Sequence, residues 1–224
     1  MADLAPARDA AWDCATGNGQ AARGLARHFA RVEATDASAQ QVEQAEPAPN
    51  VAYSVQPAEA TDFPPASFDA VCVAQALHWF DVDRFHAEVK RVLRPEGLLL
   101  VVGYGWSTFT PRFEREFMRE VIEPVRPYWP AQNKLLWDGY RDLPFPFEPV
   151  SFPKMAIEAD WTLAQVMDYV GTWTAARKLA EGDPDFLARA QARLAPAWGG
   201  DERQHVTFPL HIQCGRHVAR RAGE

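Results

Sequence analysis

The ten residues Ala11–Gln20, AWDCATGNGQ, constrain the fold of this chain more than any other stretch. Ala11–Cys14 reads as the end of a buried strand, Ala15–Gly19 as a tight turn of small residues, and Gln20 as the start of a helix. Behind the turn, Ala21, Ala22, Leu25, Ala26 and Phe29 recur at helical spacing. A strand that passes through a glycine turn into a helix leaves free N–H groups and the positive helix end pointing outward, which is half of an anion site. Gly17 and Gly19 would let a ligand approach the backbone where a Cβ would block it. A plain βα connection would use the same residues. The turn becomes a binding motif only with partners elsewhere in the chain.

The next ninety residues alternate strand and helix. Arg31–Thr35 reads as a second strand with Asp36 at its C-terminal end, and a helix over Ala39–Ala45 is stopped by Pro47 and Pro49. Val51–Val55 is a third strand. The loop Gln56–Ser67 carries Pro57, Pro64 and Pro65, so proline is expected to order it in place of hydrogen bonds. Phe68–Ala74, FDAVCVA, is the continuous apolar run of a strand covered on both faces. Asp81–Arg94 predicts an amphipathic helix, with Phe85, Val89, Val92 and Leu93 on one stripe and Arg84, Glu88, Lys90 and Arg91 outside it. Arg94-Pro95-Glu96-Gly97 reads as a turn, and Leu98–Val102 as a fifth buried strand. Strands separated by helices imply right-handed crossovers and a parallel sheet. The fold expected is α/β, open and doubly wound.

After Gly103 the texture changes. Tyr104–Phe152 is dense in proline and aromatic residues, among them Trp106, Trp129, Trp137 and Tyr140, with a helix over Arg112–Ile122. It reads as a helical cap. Helices follow over Trp161–Thr174, with Leu163, Val166, Met167 and Val170 on the apolar face, and over Asp185–Leu194, capped near Asp183. Val206, Phe208, Leu210, Ile212 and Cys214 alternate as in a strand, taken as an antiparallel addition to the sheet. Pro209 places it at an edge or a bulge. The organisation expected is a ligand-binding core over 1–104, a cap or inserted lobe over 105–160, and C-terminal helices and a final strand over 161–224 that complete the same domain.

A chain of 224 residues with a formal net charge of −7 is long enough for a substantial core. The charge argues against nucleic acid as a partner, because a phosphate backbone needs a basic face. No apolar run reaches membrane-spanning length, and Met1–Trp12 lacks the layout of a signal peptide. A cytoplasmic protein, monomer or homodimer, is expected. Cys14, Cys72 and Cys214 fall in strands without metal-type spacing and read as buried reduced thiols. His28 ends the first helix, and His86, His205, His211 and His217 are not paired at ligand spacing, so no metal is expected.

Open α/β sheets bind ligands beyond the C-terminal strand ends, where strand order reverses. The turn Ala15–Gly19, Asp36 and the segment Pro57-Ala58-Glu59 all belong there. A carboxylate at Asp36 could accept both hydroxyls of a ribose; capping the following helix is its alternative use. Backbone groups near Ala58 could line an adenine. Gly17-Asn18-Gly19-Gln20-Ala21-Ala22 also satisfies the G-x-G-x-x-A form of a dinucleotide turn, so a nucleotide-dependent oxidoreductase is a rival reading. Asp13, just before the turn, is poorly placed beside a pyrophosphate and suits the ammonium of an amino-acid arm.

Over Ala11–Tyr104 the chain resembles class I S-adenosylmethionine-dependent methyltransferases, Rossmann-like enzymes. Asp13–Gln20 is similar to their first motif, Asp-x-Gly-x-Gly-x-Gly, and Asp36 to their ribose-binding acid. Phe68-Asp69-Ala70-Val71 resembles the opening of their fourth strand, and Leu93–Leu98 the turn before their fifth. Ala74–Phe80, AQALHWF, is similar to the type 11 and trans-aconitate methyltransferase-like small-molecule group. The resemblance implies S-adenosyl-L-methionine as cofactor, held by Asp13, Ala15, Gly17, Asn18, Gly19, Asp36, Ala37, Ala58, Glu59, Ala74 and Gln75. Ala15 stands where the first glycine is usual, and Pro57 where an adenine-binding Asp is common, leaving the adenine amino group to Glu59 or backbone carbonyls. Family members usually carry a longer N-terminal segment over the cofactor. Either the cap after Tyr104 takes its place or the cover is missing from this chain, which would leave a non-catalytic cofactor-binding protein as a further rival.

An acceptor carboxylate is already ionised and needs no base, whereas an amine or phenol often does. Plant and insect carboxyl methyltransferases have a Leu-His-Trp-like segment where ring N–H groups hold the substrate carboxylate. By that resemblance His78 and Trp79 are the catalytic candidates, as donors that orient a small carboxylate-bearing substrate, with His78 also available as a base. Tyr104 and Trp106 would wall the substrate pocket. The alternative is that Trp79 and Phe80 pack the next helix on the sheet and leave His78 half exposed.

Overall fold

The structure, a computed structural model, describes residues 1–199 and 202–218. The chain gathers into two compact units. The first comprises Met1–Tyr104, Leu135–Lys154 and the chain from His211 onward; the second comprises Gly105–Lys134 and Met155–Leu210. The segments expected at 105–160 and 161–224 are therefore each divided between the two units. Positions 200, 201 and 219–224 of the latter lie outside the described residues.

In the first unit the strands are β1 (Ala10–Cys14), β2 (Arg31–Asp36), β3 (Val51–Val55), β4 (Phe68–Ala74) and β5 (Leu93–Tyr104). They pair in parallel in the order β3-β2-β1-β4-β5. The sheet continues through the second half of β8 (Gln204–Arg216), which pairs antiparallel with the two-residue β6 (Glu148–Pro149). This is the expected mostly parallel, Rossmann-like sheet with an antiparallel C-terminal strand. Its helices are α1 (Gln20–Leu25), α2 (Ala39–Glu43) and α3 (Val82–Val92).

Strand alternation explains why β1, β4 and the second half of β5 are mostly apolar on both faces. Trp12, Val71, Val73, Leu99 and Val101 face a cluster that includes Phe85, Val89 and Val92 of α3. Ala11 and Ala70 face the opposite cluster with Ala22 and Phe29, and Cys72, Leu98 and Leu100 pack beside Cys214. Both sheet faces are covered, as a parallel sheet requires. The three thiols are buried and unbridged.

Two local expectations are corrected. Arg94–Gly97 is not a turn between elements but an irregular stretch inside β5, with Glu96 at φ 64 and a register shift opposite Phe68–Ala70. Proline is accommodated at such bulges because no ladder bond is lost there. The loop 56–67 is held by hydrogen bonds as well as proline. Buried Glu88 accepts from Thr61 N at 2.8 Å and from Thr61 Oγ1, while Arg91 donates to Phe63 O at 2.7 Å and Thr61 O at 3.1 Å. These are two of the residues read as a solvent face.

Glu88 carries a prediction. Hydrogen bonds from Arg91 and Thr61, against the opposing effect of burial, hold its carboxyl down at about 2. A carboxylate depressed on folding stabilises above its unfolded value, near 4.5, and that stability is lost as pH falls toward 2. The full contribution is about 2–3 kcal/mol, since Arg91 is partly solvated. Urea melts of wild type and Glu88→Gln should differ by that amount at pH 7 and converge between pH 4.5 and 2; a gap constant across that window would show that Glu88 does not hold the loop.

The second unit is built on aromatic side chains. Helices α4 (Pro111–Phe117), α5 (Glu123–Val125), α7 (Leu163–Gly171), α8 (Thr174–Gly182) and α9 (Phe186–Trp198) accompany β7 (Ala156–Trp161), which pairs with the first half of β8. The short α6 (Asn133–Trp137) leads back into the first unit. The helix expected over Arg112–Ile122 changes at Met118 into a π-helical turn. Phe113 packs edge-on to Trp198 at 4.9 Å, and Tyr169 to Phe208 at 5.4 Å.

Candidate functional site

Beyond the C-terminal ends of β1–β4 the first unit encloses a cleft of about 680 Å³, within the range of small-molecule sites. It lies where strand order reverses between β1 and β4. Ala15 and Gly17 contribute after β1, and Asp36, Ala37, Ser38 and Gln41 after β2. Gln56, Ala58 and Glu59 follow β3, then Ala74, Gln75 and Ala76 after β4, with Trp79 and Phe80 completing the wall.

The turn after β1 is closed by Thr16 N donating to Thr35 O at 2.8 Å and Gly19 N to Thr16 O at 3.0 Å. Its two glycines have different reasons. Gly17, at φ 57, has only Gln41 Oε1 within 4 Å of an added Cβ, at 3.9 Å, so it opens onto the cleft as expected. Gly19, at φ 86, is buried, and a Cβ there would collide with the Tyr53 hydroxyl. The left-handed backbone and the Tyr53 contact together favour glycine at 19. Asn18 is exposed, and neither it nor Gly19 lines the cleft. Ala15 adopts φ 56, a left-handed conformation that costs a non-glycine residue about 1–2 kcal/mol.

Asp36 faces the cleft. Its Oδ2 accepts from Gly17 N and its Oδ1 from Ser38 N, both at 2.9 Å. The cap of α2 is Ser38, which accepts from Gln41 N, so the capping alternative for Asp36 is set aside. Each oxygen keeps a lone pair for a ligand hydroxyl.

Asp13 is turned inward. It is 1% exposed, accepts from Thr16 Oγ1 at 2.5 Å, and is absent from the cleft wall. Burial raises its carboxyl to about 6, with the hydrogen bonds from Thr16 and the Ala22 backbone opposing that and nearby Asp36 adding to it. The expected direct grip of Asp13 on an ammonium is corrected: its carboxylate is spent beneath the turn, where it ties β1 to the start of α1.

Glu59 reaches the cleft and also accepts from Asp81 N at 3.0 Å, at the head of α3. Gln75, at φ 58, spends its amide on β5, accepting from Tyr104 N at 3.0 Å and donating to Tyr104 O at 3.3 Å. Trp79 is 55% exposed and lines the cleft, whereas His78 is 5% exposed and does not. The half-exposed histidine of the packing alternative is therefore corrected. His78 Nδ1 meets the Tyr140 hydroxyl at 3.0 Å, and burial lowers the ring to about 4. Tyr104 is absent from the cleft wall, and Trp106 borders a groove built within the second unit. Ser38, Gln41, Gln56, Ala76 and Phe80 were not expected in the wall. Position immediately after a strand end marks Gln56 and Ala76, and AQALHWF contains Phe80; nothing in the sequence marks Gln41.

The charges of the wall favour a cationic ligand. Among the described residues of the wall, two carry carboxylates, Asp36 and Glu59, and none carries a positive charge. The backbone N–H groups of the turn suit a pyrophosphate and a carboxylate alike; what the two wall carboxylates favour is a cationic group on the ligand. A cationic sulfonium and ammonium on a nucleoside suit the same field.

Comparison with known proteins agrees with the chemistry. Residues 12–101 match the family described as methyltransferase domain. A Dictyostelium discoideum protein provisionally named a methyltransferase is 31% identical over 213 residues, covering 92% of this chain and 81% of that protein. A solved Anaeromyxobacter dehalogenans structure, provisionally named a type II methyltransferase, is 40% identical with a TM-score of 0.88, covering 98% of this chain and 94% of that one. A Bacillus halodurans structure, also provisionally a methyltransferase, shares the fold at 19% identity and a TM-score of 0.54, over 95% and 94% of the two chains.

Proposed function

The chain belongs to the methyltransferase family and takes S-adenosyl-L-methionine as cofactor, and from that premise we propose that it methylates a small-molecule carboxylate, as a member of the trans-aconitate methyltransferase-like group. The bound cofactor supplies an electrophilic methyl group on a sulfonium sulfur. Asp36 would hold the ribose hydroxyls, Ala58 and Glu59 the adenine, and the backbone around Ala15–Gly17 the amino-acid arm. Trp79 and His78 would orient the acceptor.

One observation carries the choice of acceptor: among the described residues of the wall, both ionisable groups are already engaged by backbone N–H donors. Asp36 and Glu59 both accept backbone N–H groups, and His78 is a weak base held neutral by burial. An in-line displacement at a methyl group is catalysed mainly by positioning and water exclusion. An amine or phenol would still have to shed a proton, and a carboxylate has none to shed.

The full chain should therefore be incubated with the cofactor and panels of small acids, phenols and amines, following the homocysteine product. Turnover is expected with acids alone, at a rate flat across neutral pH, yielding alkali-labile methyl esters. Turnover of amines or phenols but not acids would overturn the carboxylate reading. His78→Ala should raise acceptor KM roughly 10-fold with cofactor affinity unchanged; full activity would remove His78 from the acceptor site.

A further inference from the structure

Tyr140 is an unusual residue in an unusual place. It has left-handed backbone, φ 58, directly after Gly139 at φ 66. A Cβ on Gly139 would stand 2.9 Å from His211 Nδ1, so the close packing there requires glycine. The pair turns the chain at the end of α6. Gly139 N donates to Leu136 O at 2.9 Å, Tyr140 N to Leu135 O at 2.8 Å, and Gln213 Nε2 to Tyr140 O at 3.2 Å. A non-glycine residue at positive φ costs about 1–3 kcal/mol and persists only where its surroundings over-determine it. What this backbone delivers is a phenol, 1% exposed, with its hydroxyl on His78 Nδ1 at 3.0 Å and its ring 22° from the imidazole plane.

The direction of that hydrogen bond follows from the surroundings. Burial pushes the Tyr140 hydroxyl well above its ordinary range and the His78 ring well below its own, so both are neutral at physiological pH. The His78 backbone partly offsets the effect of burial on the phenol. Among the described residues His78 Nδ1 is the hydroxyl's one side-chain hydrogen-bond partner, so the hydroxyl gives its proton there. The imidazole's remaining proton then belongs on Nε2. Nε2 makes no hydrogen bond among the described residues, and Trp79, tilted 43° to the ring with centroids 4.6 Å apart, lines the cleft.

We propose that Tyr140 is a positioning residue that locks His78 as the Nε2–H tautomer, so that the imidazole meets the acceptor as a neutral hydrogen-bond donor and not as a base. The acceptor half of this statement rests on the proposed role of His78; the tautomer does not. At metal sites the group hydrogen-bonded to a ligating histidine's other ring nitrogen fixes its tautomer in the same way.

The test is nitrogen-15 NMR of the histidine rings in the labelled full chain, with His78→Gln identifying the His78 signals by their loss. Wild type should show Nε2 protonated and Nδ1 as an acceptor, and Tyr140→Phe should shift the ring toward a mixture of tautomers. In kinetics Tyr140→Phe should raise acceptor KM roughly 10-fold and leave cofactor affinity unchanged. A wild-type ring protonated on Nδ1, or a tautomer unmoved in Tyr140→Phe, would overturn the proposal. The wild-type spectrum needs neither a stable variant nor a substrate. Failure of the tautomer lock is thus distinct from failure of the acceptor role, which His78→Ala reports.

Discussion

Asp69→Ala should lower the unfolding free energy by about 3–5 kcal/mol, the cost of breaking a buried charged pair by removing one partner. Asp69 is 1% exposed. Its Oδ2 accepts from Asp9 N at 2.9 Å and Ala10 N at 3.0 Å, and its Oδ1 accepts from Arg94 Nη1 at 2.8 Å. One carboxylate thereby joins the entries of β1, β4 and β5. Alanine leaves two backbone donors and a guanidinium without their acceptor. Arg94 can turn partly to solvent and keeps Asp9 at 3.2 Å, which favours the lower end of the range. In a chain of this length the loss is a fall in Tm of roughly 10 °C. Cofactor affinity, measured where the variant is fully folded, should not change. Asp69 stands five residues before Ala74 in β4, about 16 Å from the cleft end of the strand. A variant melting within about 1 kcal/mol of wild type would show that the network contributes no more than an exposed pair.

The same residue shows what sequence reading reaches and where it stops. Phe68-Asp69 and Leu93–Leu98 were two separate points of family resemblance, and in the structure they are one ion pair, Asp69 with Arg94. All five parallel strands were located from the sequence, most clearly β4 and β5, because strands buried on both faces leave continuous apolar runs. Asp36, Ala58 and Glu59 were expected at the cleft because they end or follow strands, while Ala37, Ala74 and Gln75 came from the family resemblance; all six line the cleft. Long-range partners were not legible. Glu88 and Arg91 looked like a solvated helix face, and only the fold shows the loop they grip. Gly19 answers to Tyr53, and Asp13 to Thr16 beneath the turn; motif spacing gives no sign of either direction. Residues 135–154 return to the first unit without any compositional change at Leu135. The exposed β7 was missed because an edge strand with little buried surface carries little alternation.

Asp36→Ala should weaken S-adenosyl-L-methionine binding by about 1–3 kcal/mol, or roughly 5- to 150-fold in Kd, the range for hydrogen bonds to a charged group. Two contributions combine: the ribose loses its acceptor, and Gly17 N loses the partner that holds the turn open to the cleft. Asp36→Asn separates charge from shape. Both Asp36 oxygens face backbone N–H donors, so an amide nitrogen must oppose one of them whichever way the side chain is flipped. Asparagine is therefore expected to be nearly as damaging as alanine. Stability should fall by only about 1 kcal/mol, because the amide of Ser38 can turn to water. Calorimetric titration beside urea melts would check both quantities, and an unchanged Kd would remove Asp36 from the nucleoside. Asp36 and Asp69 each serve two backbone amides, yet their predicted effects are opposite. At the strand entries Asp69 is buried, so the carboxylate is spent on stability. At the strand exits the same chemistry leaves lone pairs facing a cleft, so removing it should cost affinity and spare the fold.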